Sequence, residues 1–428
     1  MDTRNSKILV FTVASWNSKV GSNTWASLLS NYDSKNIANV CLRDEIPDSD
    51  VCSRYFCISE NRVLKSVLKR NIKTGREIQA KTEKMSDDLA EHNARYQQMQ
   101  KKRSYILYLA REIIWMLGKW KTKEFNDFLD SFKPDIILFS MEGYIHLNRI
   151  VKYAIKYTGA KSVGYFWDDN FTYKQSSDIR HHFYRFFQRK SLKKLVKAAN
   201  GFFAISDMTK KEADDFFGID CTVLTKPLSA VPAVSYGDIG FPISMLYTGN
   251  LMIGRDKTLM RIVNALREIN SDTVKFKVDV YTKTNLSDDI KKAAESDYFT
   301  VHDPIPQSEV LKKQREADIL LFLEDIDGLY ANTARLSFST KTTDYLSSGK
   351  CIFASGCENT APMRYFSENN AAITAFNDSQ IKEKLEMIAD DPQILIKFAE
   401  DACNLGIKNH NKEKILNTFD SVLKSALE

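Results

Sequence analysis

The sequence lacks the features that mark a zinc protein, a disulfide-bonded secreted domain or a membrane-spanning protein. Its 428 residues include seven cysteines, and no two of them stand in a CxxC pair or at zinc-ligand spacing. We therefore expect reduced thiols and no metal site. No stretch approaches 18 consecutive apolar residues, so the sequence predicts no helix that crosses a bilayer.

The sequence also has only a small excess of one sign of charge over the other. The 61 basic and 55 acidic residues leave a net charge of +6, which is modest for 428 residues. That balance argues against a dedicated polyanion binder and leaves room for a local basic face. The first apolar run is short and followed at once by polar residues, so we expect no cleavable signal and a cytoplasmic protein. The length favours two domains.

The first half of the chain opens like a doubly wound α/β domain. Residues 7–14 form an apolar, β-branched run typical of a buried strand, and a polar loop with Gly21, Ser22 and Asn23 precedes a helical pattern. Ligands of such domains bind at the carboxyl ends of the strands. No GxGxxG follows the run, so a dinucleotide fingerprint is not supported, and a simple turn is the favoured interpretation of Gly21.

Three further strands are predicted in this half, at residues 133–140, 161–167 and 201–205. The second of them ends directly before Asp168. An acidic side chain just past the carboxyl end of a strand is well placed for a binding crevice. Such residues are also common in turns, so both interpretations stay open for Asp168.

Two segments, residues 101–123 and 179–199, combine basic side chains with aromatic ones. That combination is typical of a helix that lies on an anionic membrane. For the first segment the alternative is an amphipathic helix packed on its own sheet, and for the second it is a solvated helix face. Nucleic-acid binding by residues 179–199 is a weaker hypothesis that predicts steeply salt-dependent binding. The aromatic residues of the first segment are Tyr105, Tyr108, Trp115 and Trp120, and those of the second include Phe183, Phe186 and Phe187.

The second half of the chain repeats the alternation of strands and helices. Residues 227–242 contain three prolines and two glycines without periodicity, which predicts a linker after an N-terminal domain of residues 1–226. Strand patterns then recur within residues 243–408, and a helix at residues 409–428 is expected to pack back towards the first domain. The sequence thus predicts an α/β protein with two Rossmann-like domains facing across a cleft.

Residues 337–355 are the most informative stretch. Ser339 or Thr340 can cap a short helix that ends at Gly349, and an apolar strand follows. A capped helix start that carries Lys341 favours a bound anion, because free N–H groups and the helix dipole both attract negative charge. Asp344, one turn further on, would then reach a sugar attached to that anion. An ordinary capped helix feeding a core strand explains the stretch equally well.

Four pieces of the sequence carry a resemblance to a known family. They read AISDMTKKEADDFFGIDCTVL, YTGNLMIGRDKTLMRIVNAL, VLKKQREADILLFLE and STKTTDYLSSGKCIFAS, and they lie mainly within residues 200–360. In order and spacing they resemble the retaining glycosyltransferases of the GT-B fold, in particular family four. The N-terminal half resembles the family only in general plan.

The resemblance implies a nucleotide-sugar donor in the second domain, held without a metal or cofactor. By position, the resemblance assigns phosphate binding to a glycine loop, to basic residues and to the start of the helix. A ribose-binding role falls on Asp344, and a carboxylate after the preceding strand is available from Glu324. The implied donor-binding residues are Gly249, Asn250, Arg255, Lys257, Glu324, Ser339, Thr340, Lys341 and Asp344.

The implied reaction is a retaining, metal-independent transfer to a polysaccharide or glycoconjugate. Prepositioned cations can stabilise the leaving nucleotide without a metal. The acceptor is expected near Gly21, Ser22 and Asn23, with Asp168 as the catalytic acid on that side. A lipid-linked acceptor at the inner face of the cell membrane follows if residues 101–123 and 179–199 dock there; no nucleic-acid partner is expected.

The chain departs from the family pattern at two positions. The family has a glutamate eight residues before the ribose ligand, where this chain has Leu336, and its ribose ligand is usually glutamate rather than Asp344. These departures motivate an alternative hypothesis, in which the chain is a catalytically inactive subunit that binds or stabilises a partner. The DxD at residues 325–327 matches a metal motif of a different transferase fold, and three residues match easily by chance.

Overall fold

The structure is a computed structural model that describes residues 3–16, 24–79, 105–228 and 230–428. It divides into two compact units. Unit 1 comprises Met1–Leu224 and Leu416–Glu428, and unit 2 comprises Thr225–Ile415. Each unit is built on a sheet with helices packed against it, so the predicted α/β class is confirmed.

Unit 1 contains an eight-stranded sheet in the order β4-β3-β2-β1-β5-β6-β7-β8. All neighbouring strands are parallel except β3 and β4, which run antiparallel. The strands are β1 (Ile8–Phe11), β2 (Ile37–Cys41), β3 (Arg54–Ile58), β4 (Gly75–Ile78), β5 (Ile136–Ser140), β6 (Lys161–Phe166), β7 (Gly201–Ala204) and β8 (Thr222–Val223). The central strands β1, β2 and β5 are buried throughout, as expected where helices cover both faces of a parallel sheet.

The helices of unit 1 begin and end at the signals expected from capping chemistry. Thr122 and Ser206 accept a backbone N–H in the first turn, and Gly159 and Gly218 end helices in the left-handed conformation. The helices are α1 (Thr24–Leu28), α2 (Glu60–Leu68), α3 (Tyr105–Leu117), α4 (Lys123–Phe132), α5 (Ile145–Thr158), α6 (Ile179–Val196) and α7 (Asp207–Phe217).

Unit 2 contains a six-stranded, fully parallel sheet in the order β11-β10-β9-β12-β13-β14. The strands are β9 (Ile243–Thr248), β10 (Phe276–Tyr281), β11 (Phe299–His302), β12 (Ile319–Leu323), β13 (Cys351–Ser355) and β14 (Ile373–Ala375). The helices are α8 (Arg255–Ile269), α9 (Asp288–Ala293), α10 (Gln307–Glu316), α11 (Leu329–Thr333), α12 (Thr340–Leu346), α13 (Ala361–Glu368), α14 (Asp378–Asp390), α15 (Ile394–His410) and α16 (Lys412–Leu427), of which α16 passes into unit 1.

Each sheet has a point at which the strand order reverses. In unit 1 the chain builds outwards from β1 on one side and from β5 on the other, and in unit 2 β9 and β12 occupy the same positions. Ligands of doubly wound sheets bind outside the carboxyl ends of the strands at such a point. The loops that follow β1, β5, β9 and β12 are therefore the first places to look for a site.

The predicted linker and the predicted C-terminal helix each pack against one of the two sheets. In the predicted linker, Tyr236 donates its hydroxyl to the Asp318 carbonyl and accepts the Cys351 N–H, both at 2.7 Å. These bonds attach the segment to the N-terminal ends of β12 and β13 in unit 2. At the C-terminus, the ring centroid of Phe419 lies 5.6 Å from that of Phe203, so α16 packs on β7 of unit 1.

The described residues contain neither a candidate membrane-spanning helix nor a candidate metal site. None of their helices is long and apolar enough to cross a membrane. Among residues 3–16, 24–79, 105–228 and 230–428, no group of three or more histidine, cysteine, aspartate or glutamate side chains is arranged to hold a metal ion. All seven cysteines are free thiols.

Candidate functional site

The loop between β9 and α8 forms one wall of the candidate site. Gly249 has φ +135° and Gly254 has φ +80°, values that side chains rarely permit. A Cβ atom at Gly249 would lie 2.5 Å from Nζ of Lys341, and one at Gly254 would lie 2.5 Å from the carboxyl group of Asp325. The two glycines thus allow the loop to contact charged side chains that follow β12.

Arg255, the first residue of α8, is held by a carboxylate. Its Nη2 donates to both oxygens of Glu324, at 2.9 and 3.2 Å, and its Nε donates to the Leu323 carbonyl at 3.1 Å. The side chains of Arg255 and Glu324 are only 15% and 5% exposed. Glu324 therefore lies in the predicted site, but its charge is neutralised by Arg255, which also reaches Oδ1 of Asn250 at 3.3 Å.

Lys341 is a cation of the site that has no carboxylate partner among the described residues. Its Nζ donates to the Tyr247 hydroxyl at 2.9 Å and lies 4.0 Å from the centroid of that ring. The Tyr247 hydroxyl in turn donates to the Asn250 carbonyl at 2.6 Å. Among the described residues no ion pair forms with Lys341, since Arg255 holds Glu324 and Lys226 holds the remaining nearby carboxylate.

Electrostatics agree with this geometry. Burial, and then the positive charge of Arg255, lower the pKa of Lys341 to about 7, while Glu324 and Asp344 act in the opposite direction. A bound anion would supply the missing negative charge and stabilise the ammonium form. The arrangement is therefore suited to an anionic group placed against the loop at Gly249.

Helix α12 begins as the sequence predicts. Ser339 accepts the N–H of Lys341 at 3.3 Å as the N-cap, so Ser339 and Thr340 stand beside the lysine. Asp344 forms a 2.6 Å ion pair with Lys226. No sequence signal pointed to Lys226, because it precedes Asp344 by 118 positions. A ligand hydroxyl at Asp344 would bind beside this ion pair or replace it.

Other residues named from the sequence have different surroundings. Lys257 is exposed, and it follows Arg255 by two positions, a spacing at which helical side chains do not share a face. The carboxylate of Asp325 accepts the Tyr330 N–H at 2.9 Å, whereas Asp327 pairs with Arg261. The two carboxylates of the DxD thus have separate structural partners. Leu336 is fully buried.

In unit 1 the structure places a second carboxyl group near Asp168. Glu142 follows β5 and Asp168 follows β6, and these strands are paired neighbours with Ser140 opposite Tyr165. Burial, and then the charge of Asp168, raise the pKa of Glu142 to about 7. Asp168 was identified from the sequence because it directly follows a strand. Glu142 also follows a strand, but it was not identified. Gly21, Ser22 and Asn23 lie outside the described residues.

The sequence matches no family model. It also matches no curated protein. The fold, in contrast, has many solved counterparts. They include α,α-trehalose 6-phosphate synthase from Burkholderia multivorans (10% identity, 98% of each chain, TM-score 0.62) and HepE from Anabaena in complex with UDP (9% identity, 98% of this chain and all 100% of that one, TM-score 0.64). The apo form of the lipopolysaccharide outer core galactosyltransferase WaaB is similar at 13% identity, over 98% of this chain and 99% of that one, with a TM-score of 0.58. The chain therefore has the GT-B fold.

Proposed function

We propose that this chain is a glycosyltransferase that moves a sugar from a nucleotide-diphosphate donor to a saccharide acceptor. The observation that carries the proposal is Lys341, a cation at the strand-order reversal of unit 2 that pairs with no carboxylate of the described residues. A diphosphate supplies the negative charge that the lysine lacks. The UDP in the similar HepE structure is a ligand of this chemical class.

The residues around Lys341 have distinct roles in this proposal. Lys341 and the hydroxyls of Ser339 and Thr340 bind the diphosphate, and the glycine loop at Gly249 and Asn250 closes over it. Arg255 contributes its charge from a position fixed by Glu324. These groups stabilise the negative charge that develops on the leaving nucleotide, so the proposed reaction needs no metal. Retention of configuration is proposed from the resemblance alone.

Asp344 is the proposed ribose ligand. A carboxylate accepts hydrogen bonds from two sugar hydroxyls well, and Asp344 lies one helical turn after Lys341. Its ion pair with Lys226 holds the carboxylate in place before the donor arrives. Lys257 is the least supported of the proposed phosphate ligands because it is exposed on α8.

On the acceptor side we propose Asp168 as the catalytic acid group, with Glu142 as a second carboxyl group beside it. A carboxyl group whose pKa is about 7 exchanges a proton readily at neutral pH, which suits general acid–base chemistry. The acceptor is proposed to be a polysaccharide or glycoconjugate, lipid-linked where residues 101–123 and 179–199 meet the inner face of the cell membrane.

Nucleotide binding tests the donor site directly. We expect one of UDP-, GDP-, CMP- or dTDP-sugars to raise the melting temperature without added metal; a ligand at 100 times its dissociation constant adds about 2.7 kcal/mol of stability. Lys341→Met should remove the shift. The matched control is Lys350→Met, because Lys350 is also buried and lies 4.4 Å from a tyrosine ring, that of Tyr236, but away from this site. A shift that survives in Lys341→Met would contradict the proposal.

The alternative function is a catalytically inactive glycosyltransferase-like subunit. Two observations favour it: the buried Leu336 replaces the family's glutamate, and Asp344 is already paired with Lys226. Sugar transfer by the isolated chain, lost in Asp344→Ala, would support the enzyme. Nucleotide binding without any transfer over a panel of acceptors would instead support the inactive subunit.

A further inference from the structure

Helix α6 presents one exposed face that is divided along its length. Ile179, Phe183, Phe186 and Phe187 occupy the first half of this face, and the first three are 81%, 57% and 55% exposed. Their spacing of four, three and one residues puts them on one side of the helix. Apolar side chains of this size are rarely clustered on the surface of a protein without a function.

The second half of the same face is basic. Lys190, Lys193, Lys194 and the following Lys197 continue the stripe, and all four are exposed. Within the described part of the chain none of them forms an ion pair with a carboxylate. Helix α6 contains no acidic residue at all. The apolar and the basic half together make up what we call the α6 face.

The neighbouring helix α3 also exposes apolar side chains. Its exposed side is formed by Ile106, Ile113, Met116 and Leu117, whereas Trp115 is fully buried and stacks on His146 at 4.7 Å. Of the aromatic residues named for residues 101–123, Trp115 and Trp120 are buried, as the alternative of a packed helix predicts. The residues that remain outside on α3 are aliphatic.

Helices α3 and α6 pack against each other. The rings of Tyr105 and His181 are 5.6 Å apart, and those of Tyr108 and Tyr184 are 5.8 Å apart. The buried residues of α6, which include Tyr184, Gln188 and Leu192, lie on its opposite side. Because these buried residues pack inwards, helix α6 presents the α6 face on its outer side.

We propose that the α6 face docks this chain on an anionic lipid membrane. The isoleucine and the phenylalanines enter the boundary between headgroups and acyl chains. The four lysines remain at the level of the lipid phosphates. Charge complementarity selects a membrane as the occupant, because apolar side chains followed by unpaired lysines on one helix face match an acyl layer under anionic headgroups. The inference does not depend on the donor site.

Vesicle co-sedimentation of the full chain tests the proposal. We expect binding to vesicles of phosphatidylcholine mixed with phosphatidylglycerol, weaker binding to phosphatidylcholine alone, and a decrease as salt screens the charges. Since a lysine near an anionic surface contributes about fivefold in affinity, Lys190→Gln with Lys194→Gln should weaken binding about 25-fold. Phe183→Ser with Phe186→Ser should weaken binding to both kinds of vesicle.

Matched variants of unit 2 serve as controls. Lys291→Gln with Lys292→Gln makes the same change in net charge on α9, and Ile407→Ser removes an exposed apolar side chain of α15. Both should bind vesicles like the unmodified chain. The nucleotide-induced melting shift, recorded on every variant, separates a failed membrane surface from a failed donor site and shows that each variant is folded.

Three outcomes would overturn the proposal. One is equal binding to neutral and anionic vesicles. Another is binding that the α6 substitutions leave unchanged, which would place the membrane contact elsewhere. The third is a chain that ignores vesicles but self-associates through the α6 face, so that Phe183→Ser with Phe186→Ser converts a dimer to a monomer; the face would then be a protein interface.

Discussion

The two units have the same kind of sheet but different charges where the strand order reverses. In unit 1, carboxyl groups follow the strands there: Glu142 after β5 and Asp168 after β6. In unit 2 the cations Arg255 and Lys341 meet at the ends of β9 and β12. The fold fixes where a ligand can bind, and the loop side chains decide which chemistry is offered there.

The units also differ in how their charges are compensated. In unit 2 the two carboxylates that act on Lys341 are paired with other cations, Glu324 with Arg255 and Asp344 with Lys226, so Lys341 has no ion pair among the described residues. In unit 1 burial and a neighbouring carboxylate shift Glu142 towards its neutral form. A deficit of negative charge invites an anion, whereas a protonated carboxyl group offers a hydrogen-bond donor.

Removing the buried guanidinium of Arg255 should cause the largest loss of stability. Arg255→Met leaves Glu324 buried without a cation, and breaking such a pair destabilises a protein by about 3–5 kcal/mol. Arg261→Met on the same helix is the control, since Arg261 pairs with the exposed Asp327 and should contribute less than about 1 kcal/mol. Hydrogen exchange of β12 under increasing denaturant measures both. Similar losses in the two variants would mean that the Arg255 pair is not structurally special.

The glycine turns should respond with an intermediate effect. Gly254→Ala adds strain at φ +80° and also places a Cβ atom 2.5 Å from the Asp325 carboxyl group. Gly159→Ala in unit 1 has φ +70° but meets nothing within 4 Å, so it isolates the conformational term of roughly 1 kcal/mol. Denaturant unfolding of both variants should show a clearly larger loss for Gly254→Ala. Equal losses would show that the loop can move away from Asp325.

The pH dependence of stability should have opposite signs in the two units. The pKa of Lys341 falls from 10.5 to about 7 in the folded chain, so the unfolded state binds the extra proton between these values. Stability of unit 2 should therefore rise with pH above 7. The pKa of Glu142 rises from 4.5 to about 7, so the folded state binds the extra proton and stability of unit 1 should fall as pH rises through that window.

Single variants separate these two slopes. Lys341→Met should remove the rise above pH 7 from hydrogen exchange of β13, and Glu142→Gln should remove the fall between pH 4.5 and 7 from that of β5. Each variant should leave the slope of the other unit unchanged. A Glu142→Gln variant with the original slope would assign the proton uptake to another group of unit 1.

The elements predicted best were those with local signals. Ser339 caps α12 and Cys351–Ser355 is a fully buried strand, both as predicted. Gly349 has the predicted left-handed φ of +80°, but α12 ends three residues earlier, at Leu346. Strands β2 and β3 were missed, although both are almost entirely buried. The run of β2 contains Asn39, whose side chain donates to the Val10 carbonyl at 3.0 Å. That partner lies on another strand, so the sequence pattern gave no reason to place a buried asparagine there.

The same division holds for residues 61–123, whose long and highly charged sequence predicts mostly helix. Helices α2 and α3 confirm part of that prediction, but Gly75–Ile78 forms β4 and pairs antiparallel with β3. Pairing with a strand almost 20 residues away overrode the local tendency. The segment between β4 and α3 lies largely outside the described residues.

What the sequence by itself determined is the alternation of strands and helices, the ends of the helices and the positions of the loops that follow the strands. These depend on side-chain periodicity and capping, which act between residues a few positions apart. Only the tertiary structure decided which charges meet. Lys226 neutralises Asp344 and Arg255 holds Glu324, whereas Lys341 pairs with no carboxylate of the described residues. The sequence could not show this, because electrostatic compensation depends on distances in space between residues far apart in the chain.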